Sequence, residues 1–276
     1  NNRILIMSEK TIFKANPYNL SNKLLNIDDI NDIMKLVDIT DFKIKNLELY
    51  QRAFVHKSYC NMKQYTEFCN DISALPLFQE SYEKIEFLGD SILGYIVCEY
   101  IYKRYTIIYY KDEGFLTKLK NRLVCGNMLC ELAKNLSFNK YLILSKHIDE
   151  NCNGRNNKNI LEDSFEAFLG ALYLDTNDIH FVKDFCIKVF EKFVDFGEII
   201  LNDNNFKDIL QRYMNNTFDT KPIYKTIKVD DKNMYLSKVY KGDDIEEFIS
   251  EGVENTIKKA EQLAAKNALL HYGVLN

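Results

Sequence analysis

The feature that most limits how this 276-residue chain can fold is a change of hydrophobic period near residue 200. Before that point apolar residues recur at helical spacing and no stretch alternates as a half-buried strand would. NIDDINDIMKLV, LELYQRAFVHKSYC from Leu47 (with Leu47, Tyr50 and Phe54 inward), a long stretch from 81 to about 104, GFLTKLKNRLV and GNMLCELAKNL within 114–136, and the stretches 160–175 and 179–196 all read as helices. Residues 61–80, which include Pro76, read as a loop or insertion, and 149–159 as a polar loop. LNDNNF at 201–206 reads as a short linker. Behind it, DILQRYMNNT reads as a helix. PIYKTIKVDDKNMYLSKVYKGDDIEEFISEG holds three alternating strands separated by DDKN and KGDD turns, and TIKKAEQLAAKNALLHYG is an alanine-rich helix with Gly273 as its C-cap. The expectation is an N-terminal extension over 1–30, an all-α domain over 31–200, and a small α+β domain of order α-β-β-β-α over 207–276.

Hydrophobic residues make up 46% of the chain, enough for a core in each domain. The net charge of −4 gives no global field drawing the chain to nucleic acid or a membrane surface, so any polyanion contact must be local. The seven cysteines show no Cys-x-x-Cys and no metal-finger spacing, and read as reduced thiols of an intracellular protein of the cytoplasm or nucleus. The longest apolar run, 92–101, is broken by Glu99 and is too short to span a bilayer, so no membrane association is expected.

YEKIEFLGDSIL, at 82–93, places Glu83, Glu86 and Asp90 on one face of a helix, where like charges one turn apart repel. In LEDSFEAFLGALYLD, at 161–175, Asp163 and Glu166 again share a face. Interleaved Ile85, Phe87, Leu88, Phe165 and Leu169 set both acidic faces beside a core. Carboxylates gathered there are unfavourable without a cation among them, and Mg²⁺ takes such oxygen ligands in sites that hydrolyse phosphodiesters. The other reading pairs these charges with solvent or with Lys84, Lys118 and Lys120. Spacing alone leaves both open.

The wording around the carboxylates resembles the signature of the ribonuclease III family, endonucleases of double-stranded RNA. FKIKNLELYQRAFVHKSYCN is similar to the opening helix and His-x-Ser turn of that family, DEGFLTKLKNRLVCGNMLCELAKNL to the helices after the signature, and NILEDSFEAFLGALYLD to the second acidic helix. The likeness covers roughly residues 36–196. It implies a ribonuclease III-like helical fold, Glu86, Asp90, Asp163 and Glu166 as metal-binding catalytic carboxylates with Glu166 the most sensitive, and Glu83 and Glu113 as supporting acids. It also implies Mg²⁺ as cofactor with Mn²⁺ as a substitute, a homodimer through the nuclease domain, and products with 5′-phosphates and short 3′ overhangs. Gly89 is expected where another element packs closely against the helix presenting Asp90. His56 reads as a structural helix-end residue and Lys158 as a solvated loop lysine. Lys120 and Asn121 lie either near the site or on a helix surface.

The C-terminal unit resembles the double-stranded RNA-binding domain, which reads A-form shape through phosphates and 2′-hydroxyls. Gln211, Arg212, Lys258 and Lys259 are its expected RNA contacts. It departs from the family pattern where VDDKN replaces a Gly-Pro-His loop and where Glu254 and Ile257 stand for a glycine and a lysine. Residues 203–276 hold 11 Lys and Arg against 12 Asp and Glu, so its surface is not basic overall. The leading expectation is a Mg²⁺-dependent endoribonuclease acting on double-stranded RNA in RNA processing. The alternatives are a catalytically silent duplex-RNA binder, for sequestration or silencing suppression, and a ribonucleoprotein scaffold.

Overall fold

The structure, a computed structural model, describes residues 15–65, 68, 72–106, 110–201, 205–229, 233–242 and 247–275. It divides into two compact units, 1–196 and 197–276. Among the described residues no helix is long and apolar enough to cross a membrane.

The first unit contains α1 (Ile27–Leu36), α2 (Leu47–Arg52), α3 (Glu83–Ile101), α4 (Glu113–Leu123), α5 (Gly126–Asn135), α6 (Lys146–Asn151), α7 (Lys158–Thr176) and α8 (Ile179–Phe193). α7 forms its centre, with Leu161, Phe165, Ala167, Phe168, Leu169, Ala171 and Leu172 all fully buried. α3 crosses α7 at a pair of glycines. A Cβ built on Gly89 would lie 1.8 Å from the Glu166 carbonyl oxygen, and one on Gly170 would lie 2.3 Å from that of Ile85. The two backbones touch, which no residue larger than glycine allows; this is the close approach expected at Gly89. Asp175, buried near the end of α7, accepts hydrogen bonds from the Lys45 and Asn46 N–H groups and the Tyr50 hydroxyl, and so ties α2 to α7.

Two local expectations are corrected. The helix from Leu47 stops at Arg52 instead of running through Cys60. Val55 leaves it to form a parallel bridge with Ile143, and His56 N–H donates to the Ile143 carbonyl, so tertiary pairing outweighs the helical pattern. The polar loop at 149–159 holds the last turn of α6 and a 3₁₀ turn, Gly154–Asn156. There Arg155 binds Asp149 at 3.0 Å and the Leu142 carbonyl at 2.8 Å. Within the expected N-terminal extension, buried Asn19 and Asn22 both donate to the Leu144 carbonyl. A 3₁₀ turn, Lys63–Tyr65, lies within the 61–80 stretch, whose residues 66, 67 and 69–71 fall outside the described set.

In the second unit, α9 (Phe196–Leu201) starts at the boundary and is followed by α10 (Phe206–Phe218), β1 (Pro222–Val229), β2 (Met234–Lys241), β3 (Phe248–Glu254) and α11 (Ile257–His271). α9 covers the start of the expected linker, whose residues 202–204 lie outside the described set. So do most of the DDKN and KGDD turns. The sheet is antiparallel in the order β1-β2-β3. The alanines of α11 are explained by how closely it lies on the sheet: a Cβ on Gly252 would stand 2.5 Å from the Ala264 nitrogen, and the Ser250 hydroxyl donates to the Ala264 carbonyl at 2.6 Å. Leu210, Met214, Val239, Ile249, Ala264, Ala265, Ala268 and Leu269 form the core. Gly273, at φ +67°, closes α11 in the left-handed conformation that favours glycine.

Candidate active site

The glycine crossing sets two acidic helix faces side by side. Glu86 on α3 and Asp163 and Glu166 on α7 each offer a carboxylate oxygen within 4.8 Å of the others. Glu166 is the buried member, and burial together with Asp90, Glu162, Glu86 and Asp163 pushes its carboxyl up to about 8. Glu86 is raised by burial, then by Asp163, Glu83, Asp90 and Glu162. Asp163 is also raised by burial, against the pull of the Tyr82 hydroxyl, which donates to its Oδ2 at 3.0 Å, and of the Lys57 charge.

Asp90 lies one turn further along α3. It is exposed and stands outside the three-carboxylate group, yet it is the first of the charges acting on Glu166. Glu83 is turned away into an exposed ion pair with Lys57 at 3.1 Å, which lowers its carboxyl. Glu113 sits in the first turn of α4, accepting from the Thr117 hydroxyl at 2.7 Å, and does not join the cluster. His56 caps the 3₁₀ turn Lys57–Tyr59, its Nδ1 accepting from the Ser58 N–H, and burial then Lys57 lower it to about 4, so it is neutral near pH 7. Lys158 opens α7 and its charge opposes the rise at Glu162. Lys120 is half buried and Asn121 exposed, both on α4.

Two participants were missed by sequence reading. Glu162 precedes Glu166 by four residues, the same spacing as Glu86 and Asp90, so its pattern was visible; its carboxylate lies over Gly126 at the start of α5. Tyr82 carried no sequence signal, because its role depends on a partner 81 residues away.

Three oxygen donors held together at a cost in repulsion, with lysine charges acting only on the margins at Asp163 and Glu162, form a donor set that fits a hard divalent cation. In the second unit Gln211 and Lys258 line one polar groove with Asn205, Lys207, Tyr224 and Gln262. Lys259 is exposed in the first turn of α11, and Arg212 pairs with Asp208 at 3.1 Å.

A helical unit with carboxylates gathered at a crossing, followed by an α-β-β-β-α unit, has the build of an RNA-directed endonuclease. The model of the ribonuclease-III-like domain matches residues 46–191, and that of the double-stranded RNA binding motif matches 206–272. A probable ribonuclease 3 of Acanthamoeba polyphaga mimivirus is 33% identical over 275 residues, a match that spans 94% of this chain but 45% of that protein. Ribonuclease 3 of Borreliella burgdorferi is 31% identical over 245 residues, covering 87% of this chain and 91% of that one. A solved nuclease domain of ribonuclease III from Campylobacter jejuni is 25% identical with a TM-score of 0.48, over 61% of this chain and 99% of that one. The chain belongs to the ribonuclease III family, endoribonucleases of double-stranded RNA that use a divalent metal.

Proposed function

We propose that this chain hydrolyses phosphodiester bonds of double-stranded RNA with Mg²⁺ held by Glu86, Asp163 and Glu166, and with Asp90 completing the catalytic acidic set at its rim. The observation that carries this reading is the three-carboxylate group with Glu166 raised to about 8. A buried group so raised is destabilising by itself and is accounted for by a cation that belongs there. When bound, the metal supplies Lewis-acid stabilisation of phosphate charge and a more acidic water. The protein's part is positional. The glycine crossing fixes the two helices, Tyr82 holds one oxygen of Asp163, and neutral His56 holds the turn beside the site without acting as a base. By kinship Mn²⁺ replaces Mg²⁺, and the products carry 5′-phosphates and short 3′ overhangs.

The chain acts as a homodimer in this reading. α3 presents an exposed stripe opposite its core face, where Phe87 is 77% exposed and Tyr95 follows, continued by exposed Tyr102 just past the helix end. Tyr95 and Tyr102 line a largely apolar groove of about 440 Å³ with Cys98, Ile101, Leu116 and Thr117, and Glu99 and Lys120 also border it. Such a patch on a helix is suited to an isologous contact between copies. Gln211, Arg212, Lys258 and Lys259 are the proposed duplex contacts of the second unit. An intracellular setting, cytoplasm or nucleus, suits the six described cysteines, all of which are free.

The decisive experiment incubates the full chain with a labelled RNA duplex of several tens of base pairs, with Mg²⁺ or Ca²⁺, and with Glu166→Ala as control. Cleavage in Mg²⁺ that disappears in the variant is expected. Binding without cleavage would replace this reading with a duplex-RNA binder, and neither activity would favour a scaffold.

A further inference from the structure

A polyanion approaching a cluster of carboxylates is repelled, and a cation inside the cluster offsets that only at the reacting phosphate. The phosphates on either side still meet a negative rim. Lys57 stands at that rim. Its Nζ donates to Glu83 Oε1 at 3.1 Å, its charge reaches Asp163, and its side chain is 64% exposed.

The backbone that carries Lys57 is firmly held. His56 Nδ1 accepts from the Ser58 N–H, the Ser58 hydroxyl accepts from the Ser145 N–H at 3.1 Å, and the Tyr65 hydroxyl donates to the Ser58 carbonyl at 3.2 Å. Lys57 lines a cleft of about 370 Å³ of mixed polar and apolar walls, with Asn61, Gln79, Ser81, Glu83 and Lys84 and with Glu80, whose carboxylate is already paired with Arg52 and Lys84. Lys57 also lines a cavity of about 290 Å³ that includes His56 and His147. The lysine therefore borders both openings next to the acidic helices, carried on a well-bonded turn and held by an exposed, easily exchanged partner.

We propose that Lys57 and this cleft form a phosphodiester-binding subsite, in which Lys57 exchanges Glu83 for a phosphate of the RNA strand adjacent to the reacting one. Lysine serves such a contact as a point charge, and Asn61, Gln79 and Ser81 supply neutral donors around it. Glu83 then has a function outside the metal group: it parks the lysine at the edge of the site until RNA arrives. This inference rests on the double-stranded RNA nuclease reading.

The test uses the full chain and a duplex of several tens of base pairs, with binding read in Ca²⁺ across a salt series and cleavage read in Mg²⁺. K57M is expected to reduce the slope of log K against log salt by about one for each nuclease domain engaged. At a single salt concentration near 0.15 M it should weaken binding roughly tenfold, the loss of one charge-assisted contact. KM should rise by a similar factor while kcat stays within about threefold, and K57R should keep the wild-type slope. An unchanged slope and affinity in K57M, with the wild type binding and cleaving, overturns the subsite. Recovery of wild-type binding in the double variant K57M/E83Q also overturns it, because Lys57 would then serve only to neutralise Glu83. A wild type that neither binds nor cleaves duplex RNA removes the nuclease reading itself, a failure distinct from either of these.

Discussion

At the scale of single residues, Glu166 governs the pH response. Its folded-state value of about 8 lies above the ordinary 4.5, so in the metal-free protein the folded state holds a proton that the unfolded chain releases. The stability that Glu166 itself contributes is therefore full below about pH 4.5, falls as pH rises toward 8, and levels off above that, while His56 and Glu83, both lowered, act in the opposite sense at acid pH. Glu166→Gln removes this slope and should stabilise the metal-free protein at pH 8.5 by on the order of 3 kcal/mol, with little effect at pH 4. Urea titrations in chelator at the two pH values measure it; equal midpoints for wild type and variant at pH 8.5 would contradict the burial argument. Tyr82→Phe should cost about 1–2 kcal/mol from the lost hydrogen bond to Asp163 and raise the Mg²⁺ concentration needed for half-maximal thermal stabilisation. Helical spacing made each acidic face legible, Glu86 with Asp90 and Asp163 with Glu166, but only the family resemblance joined the two faces into one set, because spacing within a helix says nothing of which helices cross. The detachment of Glu83 and Glu113 was not legible, since it depends on Lys57 and Thr117 being nearer than the cluster.

At the scale of elements, two opposing effects meet at the helix glycines. Exchanging glycine for alanine inside a helix normally gains up to about 1 kcal/mol. At Gly89 the added carbon would lie 1.8 Å from a backbone oxygen that cannot yield, so Gly89→Ala should cost about 3 kcal/mol or more and lower the denaturation midpoint sharply. Gly114, with only the Asp112 side chain 3.7 Å away, should show the opposite sign, a gain of a few tenths to about 1 kcal/mol. A neutral Gly89→Ala would mean the helices can separate without loss. Most helices and all three strands could be read from period alone, because each buries one face or alternates. The truncation of α2 could not, since Val55 and His56 leave the helix for Ile143, a partner far along the chain. Nor could the order in 149–159, where Arg155 and Asp149 convert a polar stretch into fixed turns.

At the scale of the whole molecule, the exposed stripe on α3 makes oligomeric state the natural probe. Phe87→Glu places a charge in the middle of the apolar face and should halve the mass seen by sedimentation equilibrium, leaving the thermal transition of the nuclease unit nearly unchanged. A wild type that is already monomeric at tens of micromolar would remove the dimer from the proposed function. The change of period near residue 200 was visible in the sequence, and the two compact units meet close to it, at 196 and 197.

Asp175 has a consequence for the order in which this chain comes into being. The groups it receives from Lys45, Asn46 and Tyr50 were translated about 130 positions earlier. At roughly 5–20 residues per second, the start of α2 leaves the ribosome on the order of ten seconds or more before its buried acceptor exists. Throughout that interval Tyr50 lacks both its carboxylate partner and the Phe168 ring beside it, although Phe54 and Val55 can meet Phe138 and Ile143 as soon as those residues emerge. The tie that fixes the start of α2 therefore closes only when the last turn of α7 has been made, so this corner of the nuclease unit is expected to be among the last to set.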